Sequence, residues 1–331
     1  MTINAYRYYE ISIFHAFNIR IYILFNSYIS INHLWGDDKI SKLSYALEYF
    51  KFLKNPISCL LFKFGFKDSV VVKPKNINEE FYITKVNILN GIMSVLRSQD
   101  NISQEFIDFI NELSSDKEVI SWAGANILNF SDINLNLSSF FELFNNGYWN
   151  DFGIDYSNRC IIDIGSNGGD SSLYFAVQGA DVYGYEPVKP IYEYSLELIK
   201  LNPELKDRLH FFNKGCSDKR GVINITSMDS VSEYVSTDSY DVEVITIEDI
   251  LNENNIIPDF LKMDCEGCEF NIILNTDLSV FRDVLFEHHA SIVGKDYNLL
   301  IEKLESEGFK IKKLNVFTAD FENVGLIHAY K

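Results

Sequence analysis

Residues 160–170 read CIIDIGSNGGD, and the rest of the chain is organised around them. Cys160–Ile164 has the length and the branched side chains of a buried strand. Gly165, Gly168 and Gly169 relax the turn that follows, and SSLYFAVQ at 171–178 continues with apolar residues at helical spacing. A helix that begins at such a turn presents unpaired backbone N–H groups and the positive end of its dipole, so the anionic end of a ligand is expected there.

Beyond this stretch, strand and helix patterns alternate, which predicts a parallel sheet covered by helices on both faces. Strands are expected at 160–164, 181–185, 209–213, 259–263, 283–288, 309–314 and 324–330, with helices notably at 191–201 and 297–307. Residues 221–244, rich in Ser, Thr and Asp, interrupt the rhythm as a surface strand excursion that can line a substrate entrance. Upstream, KLSYALEYFKFL at 42–53 has helical spacing and is expected to close at Pro56. A short strand pair at 69–72 and 81–84 and helices at 86–96 and 104–113 follow. Asn and Ser cluster at 129–139, and FFELFNNGYWNDFGI at 140–154 leads into the motif strand. The reading is thus a mainly helical N-terminal region, 1–139, of unknown role, and an α/β domain, 140–331.

Charge is unevenly spread. Residues 1–140 hold 13 basic and 14 acidic side chains, and residues 141–331 hold 16 and 33. An acidic motif half repels phosphates, which argues against a nucleic-acid substrate. The five cysteines, Cys59, Cys160, Cys216, Cys265 and Cys268, are an odd, scattered set with no secretory leader ahead of them, so a reducing cytoplasm is the expected location. Residues 11–35 are apolar but broken by Arg20, Asn18, Asn26 and Asn32. No transmembrane segment is expected; peripheral membrane contact is compatible with the many Tyr and Phe there.

Three clusters carry chemistry. ADVYGYEP ends on Glu186, 21 residues after Gly165, the spacing of an acid that grips a ribose at the crevice of an open parallel sheet. NAD and S-adenosylmethionine both satisfy this. The glycines separate them: Gly165, Asn167 and Gly169 give G-x-N-x-G, with Asp163 two residues ahead, rather than the dinucleotide G-x-G-x-x-G, and this favours the methyl donor. KMDCEGCE at 262–269 closes a strand whose end faces the same crevice and brings Asp264 and Glu266 near the ligand, unless those acids merely cap the next helix. Its C-x-x-C has no second pair to make a zinc site, and redox use is not expected of it. VLFEHH at 284–289 puts Glu287, His288 and His289 at another strand end. His15, His33, His210 and His328 are read as structural.

These residues, DIGSNGGDSSLYFAVQGADVYGYEP, TIEDI at 246–250, DFLKMDCEGCE and EHH, resemble the FkbM-type methyltransferases in order and spacing over about residues 140–330. The resemblance implies a Rossmann-like class I methyltransferase fold, a doubly wound sheet that is mostly parallel with an antiparallel last strand. It also implies S-adenosylmethionine-dependent O-methylation of a sugar, glycolipid or secondary metabolite. In the family Ala and Ile usually stand where this chain has Ser166 and Gly168; both changes keep the turn small. Carried over by motif, Asp163, Gly165, Ser166, Asn167, Gly168, Gly169 and Asp170 shape the donor site. Glu186 with Pro187 meets the ribose, and Gly215 and Cys216 border the adenine. Lys262, Asp264, Glu266, Glu287 and His289 correspond to the reaction centre.

Methyl transfer needs acceptor oxygen, methyl and sulfur in line, and a base for the hydroxyl proton. His289, oriented by Glu287, or else Asp264, is the expected base. A Mg²⁺ ion on Asp264 and Glu266 is the alternative route to an activated hydroxyl. The rival readings are an NAD-dependent oxidoreductase or epimerase and a non-catalytic binding module. The former lacks the third glycine at the expected place.

Overall fold

The computed structural model describes residues 39–98, 104–115, 117–122, 124–128, 152–225, 240–257, 259–315 and 321–331. The apolar stretch 11–35 and the expected break at 129–139 lie outside the described residues. The chain divides into two compact units, Met1–Glu48 and Tyr49–Lys331, and of the first only residues 39–48 are described, as the start of a helix.

That helix, α1, runs over Lys39–Phe52. Pro56 does not close it but opens the next helix, α2 (Pro56–Lys63), because a proline's fixed φ and missing N–H suit a first turn. Strands β1 (Val70–Val72) and β2 (Phe81–Ile83) pair antiparallel as expected, followed by α3 (Val86–Ser98) and α4 (Gln104–Leu113). An unforeseen hairpin comes next, β3 (Val119–Trp122) against β4 (Ala125–Leu128), with Gly124 at φ +83° in its turn. Alternation in VISW and ANIL was its signal, and Asn202 ties it down by accepting from the Asn126 N–H at 2.6 Å.

The main sheet begins with β5 (Cys160–Ile164), α5 (Asp170–Val177), β6 (Asp181–Tyr185), α6 (Lys189–Leu201) and β7 (Leu209–Phe212). A three-stranded side sheet follows: β8 (Gly215–Cys216) lies parallel to β10 (Tyr240–Ile245), which pairs antiparallel with β9 (Gly221–Ile225). Of the expected excursion at 221–244, these strands cover both ends, and residues 226–239 lie outside the described residues. Helix α7 (Ile247–Asn254) opens on a capping box in which Thr246 and Asp249 satisfy each other's backbone N–H groups. Strand β11 (Phe260–Met263), α8 (Cys268–Asn275), β12 (Asp283–His288), α9 (Ala290–Val293), α10 (Asn298–Ser306), β13 (Lys310–Asn315) and β14 (Gly325–Tyr330) complete the chain.

The seven strands lie in the order β13-β14-β12-β11-β5-β6-β7. Strands β12, β11, β5, β6 and β7 are parallel, and β14, the last, is antiparallel to both neighbours. This is the Rossmann-like, doubly wound class I arrangement expected from the motifs. Central strands covered on both faces read as continuous apolar runs, as Phe260, Leu261, Met263, Val284, Leu285 and Phe286 do, all fully buried. Lys262 is the exception inside that run. The chain leaves β5 toward β6 on one side and returns to β11 on the other, so a crevice opens at the carboxyl ends of β5 and β11, where ligands bind in such sheets. Among the described residues no helix is long and apolar enough to cross a membrane.

Candidate active site

The turn after β5 is fixed by close approach. Gly165 (φ +73°) lies so near the β11 end that a Cβ there would meet the Asp264 carbonyl oxygen at 1.8 Å. Asn167 is also left-handed (φ +48°), and Gly169 (φ +86°) caps α5, where a Cβ would strike Phe211 at 2.8 Å. Only residues without a Cβ, or with one that tolerates the left-handed region, fold this turn.

Behind the turn sits a buried ion pair, Asp163 to Lys262 Nζ at 2.8 Å. Ser171 and Ser172 donate to the same carboxylate at 2.6 and 2.7 Å, and Lys262 donates to the Gly165 carbonyl at 2.9 Å. Burial pulls the Lys262 ammonium down, but Asp163 and Asp264 outweigh it and keep it charged. Lys262 was expected among the reacting groups; only 1% exposed, it instead holds the turn from behind, and Asp163 does the same. The two serines had no role in the sequence reading, where they counted only as helix starters.

In front of the turn, Glu186 is buried at the end of β6. Its carboxylate accepts from the Asn167 N–H at 3.1 Å and the Val188 N–H at 2.7 Å, so one side chain links both loops. Burial raises its pKa to about 7. Asp170, buried on the first turn of α5, is likewise raised to about 7 by burial. Pro187 is fixed through its carbonyl, which accepts from Asn213 at 2.9 Å. Ser166 Oγ is buried in the turn without a hydrogen-bond partner. An orphaned hydroxyl and a carboxylate at the ends of adjacent strands fit a polar nucleoside ligand. Gly215 and Cys216 form β8 beside this end, and the Cys216 thiol packs into the core, where burial pushes it up to about 12.

The third group gathers at the ends of β11 and β12. The Asp264 N–H donates to the Ile164 carbonyl at 2.9 Å, and two left-handed residues, Glu266 (φ +54°) and Gly267 (φ +112°), wind the chain into α8. Non-glycine left-handed residues cost on the order of 1 kcal/mol and concentrate at functional turns. This turn brings Glu266 to 3.4 Å from His289 Nε2, with Asp264 at 3.9 Å from the same nitrogen. The opposite ring nitrogen, Nδ1, lies 3.2 Å from Glu269, which also accepts the His289 N–H at 2.8 Å. The carboxylate that orients His289 is therefore Glu269, fully buried, and not Glu287. Glu269 stands in the quoted CEGCE run, but a first-turn helix acid reads as a cap until the strand that packs on it is known. Glu287 joins Asp264 and His289 in a group whose donor atoms all lie within 4.8 Å of one another. His288, between them, points the other way and stacks on Tyr297 with ring centroids 4.7 Å apart, as strand alternation requires.

Burial alone would lower the His289 pKa, but the Glu269 hydrogen bond and the Asp264, Glu269 and Glu266 charges overcome it and raise the value to about 9. The ring is an imidazolium near neutral pH and holds no free site for an incoming proton. Burial raises Glu266 as well. Cys265 and Cys268 are joined by a disulfide at the head of α8, which the expectation of a reducing environment does not anticipate; Cys59, Cys160 and Cys216 remain free.

A nucleotide-type sheet with a glycine turn, a strand-end acid and a polar cluster at its switch point defines the class of S-adenosylmethionine-dependent methyltransferase domains. The family described as "Methyltransferase FkbM domain" matches residues 163–311 of the chain. No curated protein matches the chain. Among solved structures, it is similar to methyltransferase FkbM from Methylobacillus flagellatus KT, at 16% identity and a TM-score of 0.42, over 74% of this chain and 59% of that one. It is also similar to Aeropyrum pernix fibrillarin (14%, TM-score 0.35, 80% and 94%). A third is magnesium protoporphyrin IX methyltransferase from Synechocystis PCC 6803 (12%, TM-score 0.36, 69% and 92%). The chain spans 59% of the length of the first of these.

Proposed function

We propose that this protein is an O-methyltransferase that transfers the methyl group of S-adenosylmethionine to a hydroxyl of a sugar, glycolipid or secondary metabolite. Residues 140–331 would form the catalytic domain, and residues 1–139 keep no assigned role. The observation that carries the reading is the meeting, at one switch point, of the Glu186 loop clamp and the Asp264–His289 cluster. When bound, S-adenosylmethionine supplies an electrophilic methyl on a cationic sulfur, which suits an acidic crevice.

In this reading the backbone of residues 165–169 receives the donor's anionic end and Glu186 accepts from the ribose hydroxyls. Ser166 Oγ offers its unused hydrogen bond, and residues 215–218 border the base. Asp163 and Lys262 hold the turn. Asp264 takes the acceptor's proton, since His289 is already protonated by its carboxylate neighbours. His289, fixed by Glu269, then keeps Asp264 aimed. An acidic half argues for an uncharged or cationic acceptor rather than nucleic acid.

Calorimetric titration with S-adenosylhomocysteine, run beside NAD and repeated on Glu186→Ala, tests the donor site. Micromolar binding lost in the variant supports it. Binding of NAD alone would replace it with a dinucleotide enzyme, and binding of neither would leave a non-catalytic module. Labelled methyl donor offered with glycan, glycolipid and small hydroxyl acceptors then tests the transfer.

A further inference from the structure

We propose that Asp264, Glu287 and His289 form a divalent-cation site, with Glu269 as the residue that positions its imidazole ligand. The Mg²⁺ pair expected from sequence, Asp264 with Glu266, is replaced by a mixed set: two carboxylates and one ring nitrogen from two adjacent strand ends, their donor atoms all within 4.8 Å of one another. An ion about 2.1 Å from each ligand needs donors roughly 3 to 4.2 Å apart, so a small side-chain adjustment closes the set. Three features point to a cation rather than to a merely acidic patch. His289 is 5% exposed, and its Nε2 faces Asp264 at 3.9 Å and Glu266 at 3.4 Å, so a cation bound there takes the place of the Nε2 proton. Its Nδ1 is held by a fully buried carboxylate, the arrangement that fixes ring orientation and tautomer in metal-bound histidines. Finally, Asp264, Glu266, Glu269 and Glu287 crowd around this single imidazole, leaving negative charge that one ring cannot balance.

A nitrogen and two oxygens suit a first-row divalent ion such as Mn²⁺ better than Ca²⁺, which takes six to eight oxygens. The site's purpose rests on the O-methyltransferase reading: a cation here would bind the acceptor hydroxyl, ease its proton loss toward Asp264 and orient it toward the methyl.

The test is Mn²⁺ titration followed by electron paramagnetic resonance on the intact chain, with S-adenosylhomocysteine affinity measured in parallel by calorimetry. The expected result is one Mn²⁺ per chain. Affinity should fall at least about tenfold in Glu287→Gln and in His289→Gln, and about 10- to 100-fold in Glu269→Gln, whose side chain touches no ion. Glu287→Gln, at a half-buried position, serves if His289→Gln does not fold. No saturable Mn²⁺ binding up to millimolar metal, or binding unchanged in Glu287→Gln and every folded His289 variant, overturns the site. Because the cofactor titration is a separate readout, a parent chain that binds S-adenosylhomocysteine but no Mn²⁺ rejects the metal site alone.

Discussion

Replacing Lys262 by Met separates a reacting lysine from one that only holds the turn. In the native fold its ammonium pairs with Asp163 at 2.8 Å and donates to the Gly165 carbonyl at 2.9 Å and to Ser171 Oγ at 3.3 Å, with 1% of the residue exposed. Methionine fills the aliphatic path but leaves Asp163 charged and buried, with only the Ser171 and Ser172 hydroxyls for compensation. Breaking a buried pair from one side costs about 3–5 kcal/mol. At roughly 2–4 °C per kcal/mol for a domain of this size, the melting temperature should fall by on the order of 10 °C. The Asp163→Asn/Lys262→Met double variant removes both charges and should regain more than half of that loss. Thermal melts of the three proteins and S-adenosylhomocysteine titrations measure this, and the single variant should also bind the product at least about tenfold more weakly as the turn relaxes. If Lys262→Met melts like the parent and binds the product normally but loses turnover, the argument is wrong and the lysine belongs to the reacting groups.

Gly165→Ala should disrupt the turn outright, since its Cβ would lie 1.8 Å from the Asp264 carbonyl at a φ of +73°; product binding should disappear, and retained micromolar affinity would contradict the close approach. Glu186 has a pKa of about 7 against an ordinary 4.5, so the folded protein binds more protons than the unfolded chain across that window and loses stability there as pH rises. Urea midpoints of Glu186→Gln, compared with the parent at pH 4.5 and pH 8, should lack this component of the fall, about 2–3 kcal/mol; parallel pH profiles would refute it. Thiol titration of the denatured, unreduced protein should count three thiols, Cys59, Cys160 and Cys216, and five after reduction. Five thiols before reduction would show Cys265 and Cys268 to be free.

The sequence by itself determined the sheet. Strand patterns alternating with helical ones marked all seven strands of the main sheet to within about a residue, most plainly the central ones, because a strand buried on both faces leaves an unbroken apolar signature. The glycine turn and Glu186 were equally legible, since backbone conformation and strand-end position follow from local residue type and spacing. What only the tertiary structure decided is which side chain meets which. Glu269 and His289 lie 20 residues apart and become partners when α8 packs beside the end of β12, so the acid that reads as a helix cap becomes the group that sets the imidazole's charge. Lys262 carries the same charge in sequence whether it faces solvent or the back of a turn, and only the register of β11 against β5 sends it to Asp163. Covalent order fixes periodicity, whereas burial and pairing, which set the pKa of His289, Glu186 and Asp170, are properties of residues brought together from distant parts of the chain.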